Sequence, residues 1–177
     1  VLISSATQRS EVVRETVARL RGELDSFDGV APIEAPPGFC GELRPYQRVA
    51  LGWAAFLRKF RLGGCLADDM GLGKTVTLLA LLEARRAEGA PPSLVVVPRS
   101  LAWNWQAEAA RFAPSLRVRV HMGVARASEA AAVAKGADLV LTTYGTLRRD
   151  AHFLKDARFD YLVLDEAQAI KNAASAT

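Results

Sequence analysis

Asp68-Asp69-Met70-Gly71-Leu72-Gly73-Lys74-Thr75 is the stretch on which the fold turns. Before it, Cys65-Leu66-Ala67 reads as the end of a buried strand, and after it Val76-Thr77-Leu78-Leu79 continues as a helix. Glycines let a backbone curl until successive N–H groups aim at one phosphate, and a helix N-terminus adds its partial positive charge. In such a loop Lys74 reaches the β- and γ-phosphates and the Thr75 hydroxyl binds magnesium. The strict pattern asks for glycine where Asp68 stands, so the loop alone is also compatible with an ordinary glycine-containing turn. The decision comes from Tyr161-Leu162-Val163-Leu164, an apolar run typical of a parallel strand, which ends in Asp165-Glu166-Ala167-Gln168. Asp165 at the strand tip can hold magnesium, and Glu166 can orient and deprotonate an attacking water. The same acids could merely cap the next helix. Taken with the loop, they imply a centre that hydrolyses a nucleoside triphosphate.

Around these two motifs the chain alternates helix and strand from Phe39 onward. The pattern predicts a helix from Pro45 to about Lys59, with proline at home in its first turn. It continues with strand 64–68, helix 73–88, strand 94–97, helix 100–112, strand 116–121 and an alanine-rich helix near 126–135. Strand 139–142, a helical stretch 145–155 and strand 159–164 complete it. Alternation of this kind implies right-handed crossovers and a mostly parallel sheet covered on both faces, a three-layer α/β fold of the P-loop NTPase type. Ligands then gather at the carboxyl ends of the strands, where Gly71, Pro98, Thr142 and Asp165 fall. Upstream, Val12, Val13, Val17, Leu20 and Leu24 recur at helical spacing, and 25–38 carries three prolines and two glycines. We expect an N-terminal helix and proline-rich linker over 1–38 and a nucleotide-binding domain over 39–177.

Composition narrows the classes. The chain has 177 residues, enough for one domain, and is 50% hydrophobic and 24% charged, as soluble globular proteins are. No apolar run approaches the ~20 residues that span a bilayer, and nothing at the start resembles a secretion signal, so no membrane partner is expected. Cys40 and Cys65 are not a short-spaced pair, and His121 and His152 read as packing or surface residues, which disfavours a disulfide framework or structural zinc. The default location is intracellular: cytoplasm and nucleoid, or nucleus. A net charge of +4 permits nucleic-acid binding without establishing it, since no basic block occurs; Arg85-Arg86 and Arg148-Arg149 read as solvated helix faces. The opening Val1, in place of Met, and the stop soon after the acids suggest a fragment of something longer.

Leu43-Arg44-Pro45-Tyr46-Gln47 precedes the loop. A glutamine amide offers a donor and an acceptor and can pair with the N6 and N7 edge of adenine, and Tyr46 can stack near the base. By physics alone this is equally a helix start.

With these residues assembled, Phe39 to Asn172 resembles the first RecA-like lobe of a SWI/SNF-type ATPase, in the helicase-like superfamily two. Leu43 to Gln47, with Gly52 and Trp53, is similar to the family's adenine-recognition motif. Leu66 to Thr75 resembles its phosphate loop, which tolerates a non-glycine where Asp68 stands. Pro98, Ser100, Leu101, Asn104, Trp105 and Glu108 resemble the next motif, with Phe112, Pro114, Leu116 and Gly123 as its sequel. Thr142-Thr143-Tyr144 matches the one after, and Asp165 to Gln168 with Ile170-Lys171-Asn172 matches the Walker B region. Gln168 stands where many relatives carry His, which bears on coupling between hydrolysis and DNA.

The resemblance implies ATP and Mg2+ as cofactors. It implies Arg44, Tyr46, Gln47 and the loop Asp69, Met70, Gly71, Leu72, Gly73, Lys74 and Thr75 as the nucleotide site. Thr75 and Asp165 would hold the metal, Lys74, Asp165 and Glu166 would be catalytic, and Gln168 would couple. Double-stranded DNA is the implied partner, facing Pro98, Arg99, Ser100, Thr142, Thr143 and Tyr144 through its backbone. Trp103 and Trp105 read as core or lobe-interface residues instead. A second RecA-like lobe with an arginine finger, absent here, is also implied, so the fragment alone should be nearly inactive. DNA-bound protein complexes would be what the whole enzyme remodels. Two rivals remain. A small-molecule kinase would not need the Asp-Glu pair, and a GTPase should carry Asn-Lys-x-Asp, which does not occur. A non-catalytic docking module would have no use for intact Lys74, Thr75, Asp165 and Glu166.

Overall fold

The computed structural model describes residues 29–170. The helix expected over 10–24 and the pair Lys171-Asn172 lie outside them. Four strands form one all-parallel sheet in the order β2-β3-β1-β4: β1 Ser93–Val97, β2 Val118–His121, β3 Leu139–Thr143 and β4 Leu162–Leu164. Among the described residues five α-helices accompany it: α1 Pro45–Lys59, α2 Lys74–Ala87, α3 Ala102–Phe112, α4 Ala130–Ala134 and α5 Tyr144–Leu154. Strand side chains alternate between faces, and both faces are covered. Val95, Val97, Leu139 and Leu141 pack with Leu79 and Leu82 of α2 and Trp105 and Ala109 of α3. Leu94, Val96 and Val140 pack with Val133 of α4 and Leu154 of α5. The α/β three-layer reading holds.

A smaller apolar cluster, Leu43, Leu51 and Ala80, joins α1 to the outer side of α2. The described part of the expected linker is laid against the same helix: Ile33 N donates to Arg48 O at 3.0 Å, and Arg48 pairs with Glu34. Gly38, at φ +92°, is fitted to its place, since a Cβ there would stand 2.4 Å from Oε1 of the buried Glu83.

Several expected elements change. Residues 64–68 do not join the sheet. After α1 the chain stays against that helix, with Leu62 N bonded to Leu57 O and Gly64 lodged beneath Leu57 and Trp53, where a Cβ would clash at 2.3 Å. Cys65 and Ala67 are therefore exposed, and β4 is an edge strand whose Leu162 is 61% exposed. The helix expected from 100 opens instead with a 3-10 turn, Arg99–Leu101. The alanine-rich helix shrinks to five residues because Arg126 is anchored elsewhere, donating to Gly123 O and to both carboxylate oxygens of Asp150. Strand 159–164 keeps only its last three regular residues: Asp160 N bonds to Pro92 O and its carboxylate is drawn to Arg85 and Arg58. Arg85 is thus no solvated face, and Arg86 pairs with buried Glu83; Arg148 and Arg149 are exposed as expected. Burial alone would push the Asp160 carboxyl up, but the Arg85 and Arg58 guanidiniums outweigh it and hold the group below the usual range.

His121, expected to pack, ends β2 buried, with Nε2 2.8 Å from Asp150 Oδ2. The Arg126 guanidinium, against the opposing effect of burial and with His121 assisting, lowers the Asp150 carboxyl from 3.8 to about 2. A depressed carboxylate contributes stability that is complete above its unfolded value and fades as pH falls toward its folded one. Asp150→Asn should therefore lower stability by on the order of 2 kcal/mol near neutrality. The deficit should shrink between pH 4 and pH 2, as paired thermal melts across that range would show.

Candidate active site

Two hinges of sequence set the rim. Gly71 and Gly73 take positive φ, +85° and +75°, and Gly73 caps α2. Space beside Gly71 is open, as a phosphate-facing turn requires. The first N–H groups of α2 have no partner within the helix and point out of its N-terminus. Lys74 folds back over the loop, its Nζ donating to Asp68 O at 2.7 Å and Asp69 O at 3.1 Å.

The segment upstream locks onto this turn. Tyr46 Oη donates to Leu72 O at 2.9 Å, and Gln47 Nε2 lies 3.3 Å from both Leu72 O and Gly73 O. Gln47 Oε1 accepts from Arg44 N at 2.9 Å, which caps α1. Gln47 is buried, and both ends of its amide are occupied by the protein, whereas Arg44 is exposed and Tyr46 partly so. A side chain on Gly73 would sit 2.7 Å from Gln47 Nε2, so the two motifs are in direct contact.

Across the rim, β4 delivers Asp165. Its N–H bonds to Val96 O, and its carboxylate accepts from Trp105 Nε1 at 2.8 Å and from Glu166 N at 3.0 Å. Tyr144 Oη donates to the Asp165 carbonyl at 2.7 Å. Glu166 takes a left-handed backbone, φ 51°, uncommon for a residue with a side chain and a mark of functional sites. Gln168 Nε2 donates to Glu166 Oε2. Burial, and then the negative charge of Asp165, push the Glu108 carboxyl up; burial followed by Asp165 and Glu166 does the same to the Tyr144 phenol.

From a shared anchor the lysine turn and the acids have equal reach. Arg85, near the end of α2, is bonded to Asp160 at the entry to β4, and Leu79 and Leu82 of the same helix pack on the sheet. Eleven helical residues back to Lys74 and five extended ones forward to Asp165 both amount to about 16 Å. Among the described residues no three His, Cys, Asp or Glu side chains cluster as a metal cage. Magnesium fits such a rim, because it is commonly held by one or two protein oxygens with phosphate and water supplying the rest. Thr75 and Asp165 each carry a side-chain oxygen that would serve.

The DNA candidates divide. Arg99 and Ser100 are exposed in the 3-10 turn and Pro98 is half-buried. Thr142 is fully buried and donates to His121 O at 2.8 Å, and Thr143 caps α5 by accepting from Thr146 N. Those two hydroxyls are committed to the fold, and the Tyr144 hydroxyl to Asp165. Trp103 is 74% exposed, while Trp105 is core. Sequence reasoning had no partner for Trp105; the usable signal was that a buried indole N–H seeks an acceptor.

The SNF2-related domain model matches residues 46–177, about three quarters of the chain. The chain belongs to the SNF2-related family. YwqA of Bacillus subtilis is 41% identical over 155 residues, a stretch covering 85% of this chain and 17% of that protein. The TATA-binding protein-associated factor mot1 of Schizosaccharomyces pombe is 36% identical, over 85% of the chain and 8% of its own length. Among solved structures, the Sulfolobus solfataricus SWI2/SNF2 ATPase core in complex with dsDNA aligns with a TM-score of 0.71 at 39% identity, covering 84% of this chain and 30% of that one. The chain thus spans less than a fifth of these curated relatives. It is an SNF2-family ATPase domain of helicase-like kind, and the family implies use of ATP, typically with magnesium. Among the described residues no helix is long and apolar enough to cross a membrane.

Proposed function

We propose that this SNF2-family chain is the ATP-binding lobe of a DNA-dependent ATPase. In our reading it couples hydrolysis to translocation on double-stranded DNA and to remodelling of DNA-bound protein complexes. The observation that carries the reading is the Arg85–Asp160 bond, from which the Lys74 turn and the Asp165-Glu166 tip lie equal lengths along α2 and β4. Lys74 leaves its loop carbonyls for the β- and γ-phosphates, and the N–H groups from Asp69 to Thr75 line the remaining oxygens. Magnesium, when bound, would neutralise charge that develops in transfer. Thr75 and Asp165 hold it; Glu166 orients the attacking water and accepts its proton. Gln168 steadies the Glu166 carboxylate, which supports the coupling role. Arg44 and Tyr46 stand at the adenine side, and Gln47 ties that side to the phosphate turn. Arg99 and Ser100, exposed beside a turn, suit contact with a DNA phosphate. Residues 39–177 form the lobe, with 1–38 as a preceding arm.

A second lobe supplies the arginine finger in this reading, worth roughly 10³- to 10⁵-fold in related ATPases. The lobe alone should hydrolyse ATP that much more slowly than the full-length protein. Turnover by the full-length protein, measured with and without duplex DNA and with ATP against GTP, tests the proposal. Stimulation by DNA and a preference for ATP are expected. Hydrolysis indifferent to DNA would leave a P-loop hydrolase without a motor.

A further inference from the structure

The geometry points to Trp105 and Tyr144 as positioning residues for Asp165, gripping it from two sides and transmitting to it the placement of the β1–α3 and β3–α5 junctions. This rests on the reading of Asp165 as the metal-binding acid. A carboxylate offers about four lone-pair positions. Trp105 Nε1 takes one on Oδ2 and Glu166 N one on Oδ1, leaving the others for a metal or its waters. Tyr144 meanwhile fixes the backbone that carries the carboxylate, through the carbonyl of the same residue.

Neither contact is explained by packing. Trp105 fills the core between α2, α3 and the sheet, and a phenylalanine ring would fill most of that space. Its N–H instead reaches 60 positions along the chain to an ionisable group. Tyr144 opens α5, and its hydroxyl reaches 21 positions to Asp165. Each sits just inside the start of its helix, and the turn before α3 holds candidate DNA contacts. Arg99 and Ser100 lie in the turn that leads into α3, and Thr143 caps α5. A shift of either junction therefore moves a donor bonded to Asp165, and the metal's acid is placed correctly only when both junctions are.

Outer partners that orient a ligating carboxylate typically contribute 10- to 100-fold in metal affinity or activity. The test uses the full-length protein with Trp105→Phe, Tyr144→Phe and Asp165→Asn. Binding of a fluorescent ATP analogue is titrated with magnesium, and metal-free binding and thermal midpoints are recorded alongside. Trp105→Phe should raise the half-saturating magnesium about 10-fold. Tyr144→Phe should raise it too, with metal-free nucleotide binding unchanged in both and DNA stimulation of hydrolysis reduced. Parental magnesium dependence in both variants, with Asp165→Asn shifted, overturns this inference and leaves the site reading intact. An unshifted Asp165→Asn overturns the site reading itself. Equal loss of metal-free and metal-dependent binding would make the contacts structural and also overturn it. Should Trp105→Phe not fold, Tyr144→Phe decides alone, since it removes only an oxygen.

Discussion

Glu166→Gln in the full-length protein is expected to bind ATP as the parent does and to lose hydrolysis by about 10²- to 10⁴-fold, the usual contribution of a positioned general base. The substitution keeps the shape and the hydrogen-bonding reach of the side chain. What disappears is the ability to take a proton from water. Two structural facts sharpen the expectation. Glu166 is held in a left-handed backbone directly after Asp165, so its side chain leaves the strand tip in a direction set by the fold. Its carboxylate is also met by the Gln168 amide, which donates to it. An amide at 166 can be steadied the same way, so binding and geometry survive while chemistry stops. Equilibrium binding of an ATP analogue beside steady-state turnover separates these. Undiminished turnover would remove Glu166 from the base role.

Lys74→Ala should lower turnover by about 10²- to 10³-fold, the scale of removing one donor aimed at developing charge. Unlike the base variant, it should weaken nucleotide binding as well. The ammonium that would meet the phosphates is held at present by the Asp68 and Asp69 carbonyls. Triphosphate binding exchanges those neutral acceptors for anionic oxygens, which add a full Coulomb attraction to the ammonium. The lysine is therefore a ready-placed charge on a short swing, and its loss is felt in ground state and transition state alike. Comparing kcat and KM of both variants is decisive. Glu166→Gln should move kcat alone, and Lys74→Ala should move both.

Much of this site could be read from the chain because its determinants are local. Glycines at positions requiring positive φ, a lysine and threonine opening a helix, and two acids closing an apolar run are each confined to a few neighbouring residues. The alternation of helix and strand was legible for the same reason, as hydrophobic period is a short-range signal. What escaped was set at long range. A strand exists only with a ladder partner, and nothing in Cys65-Leu66-Ala67 announces that the chain stays beneath Trp53 and leaves β4 at the sheet's edge. Arg85 reads as a surface residue until Asp160 arrives 75 positions later. Thr142 and Tyr144 look like hydroxyls for a ligand, yet the fold takes both, one for the His121 carbonyl and one for Asp165. Gln47 shows the middle case: its motif was plain, but not that its amide would hold the phosphate turn.

The bond between Arg85 and Asp160 makes the fold a caliper, with a fixed jaw at the far end and the reactive groups on the measuring tips. One residue added between Arg85 and Lys74 would advance the lysine by about 1.5 Å and swing it about 100° around the helix axis. One added between Asp160 and Asp165 would turn the acid to the other face of the sheet. Length is therefore frozen along both arms, and insertions are free to accumulate only where the chain is outside the jaws, as at the exposed stretch around Gly63 or the bend at Val124.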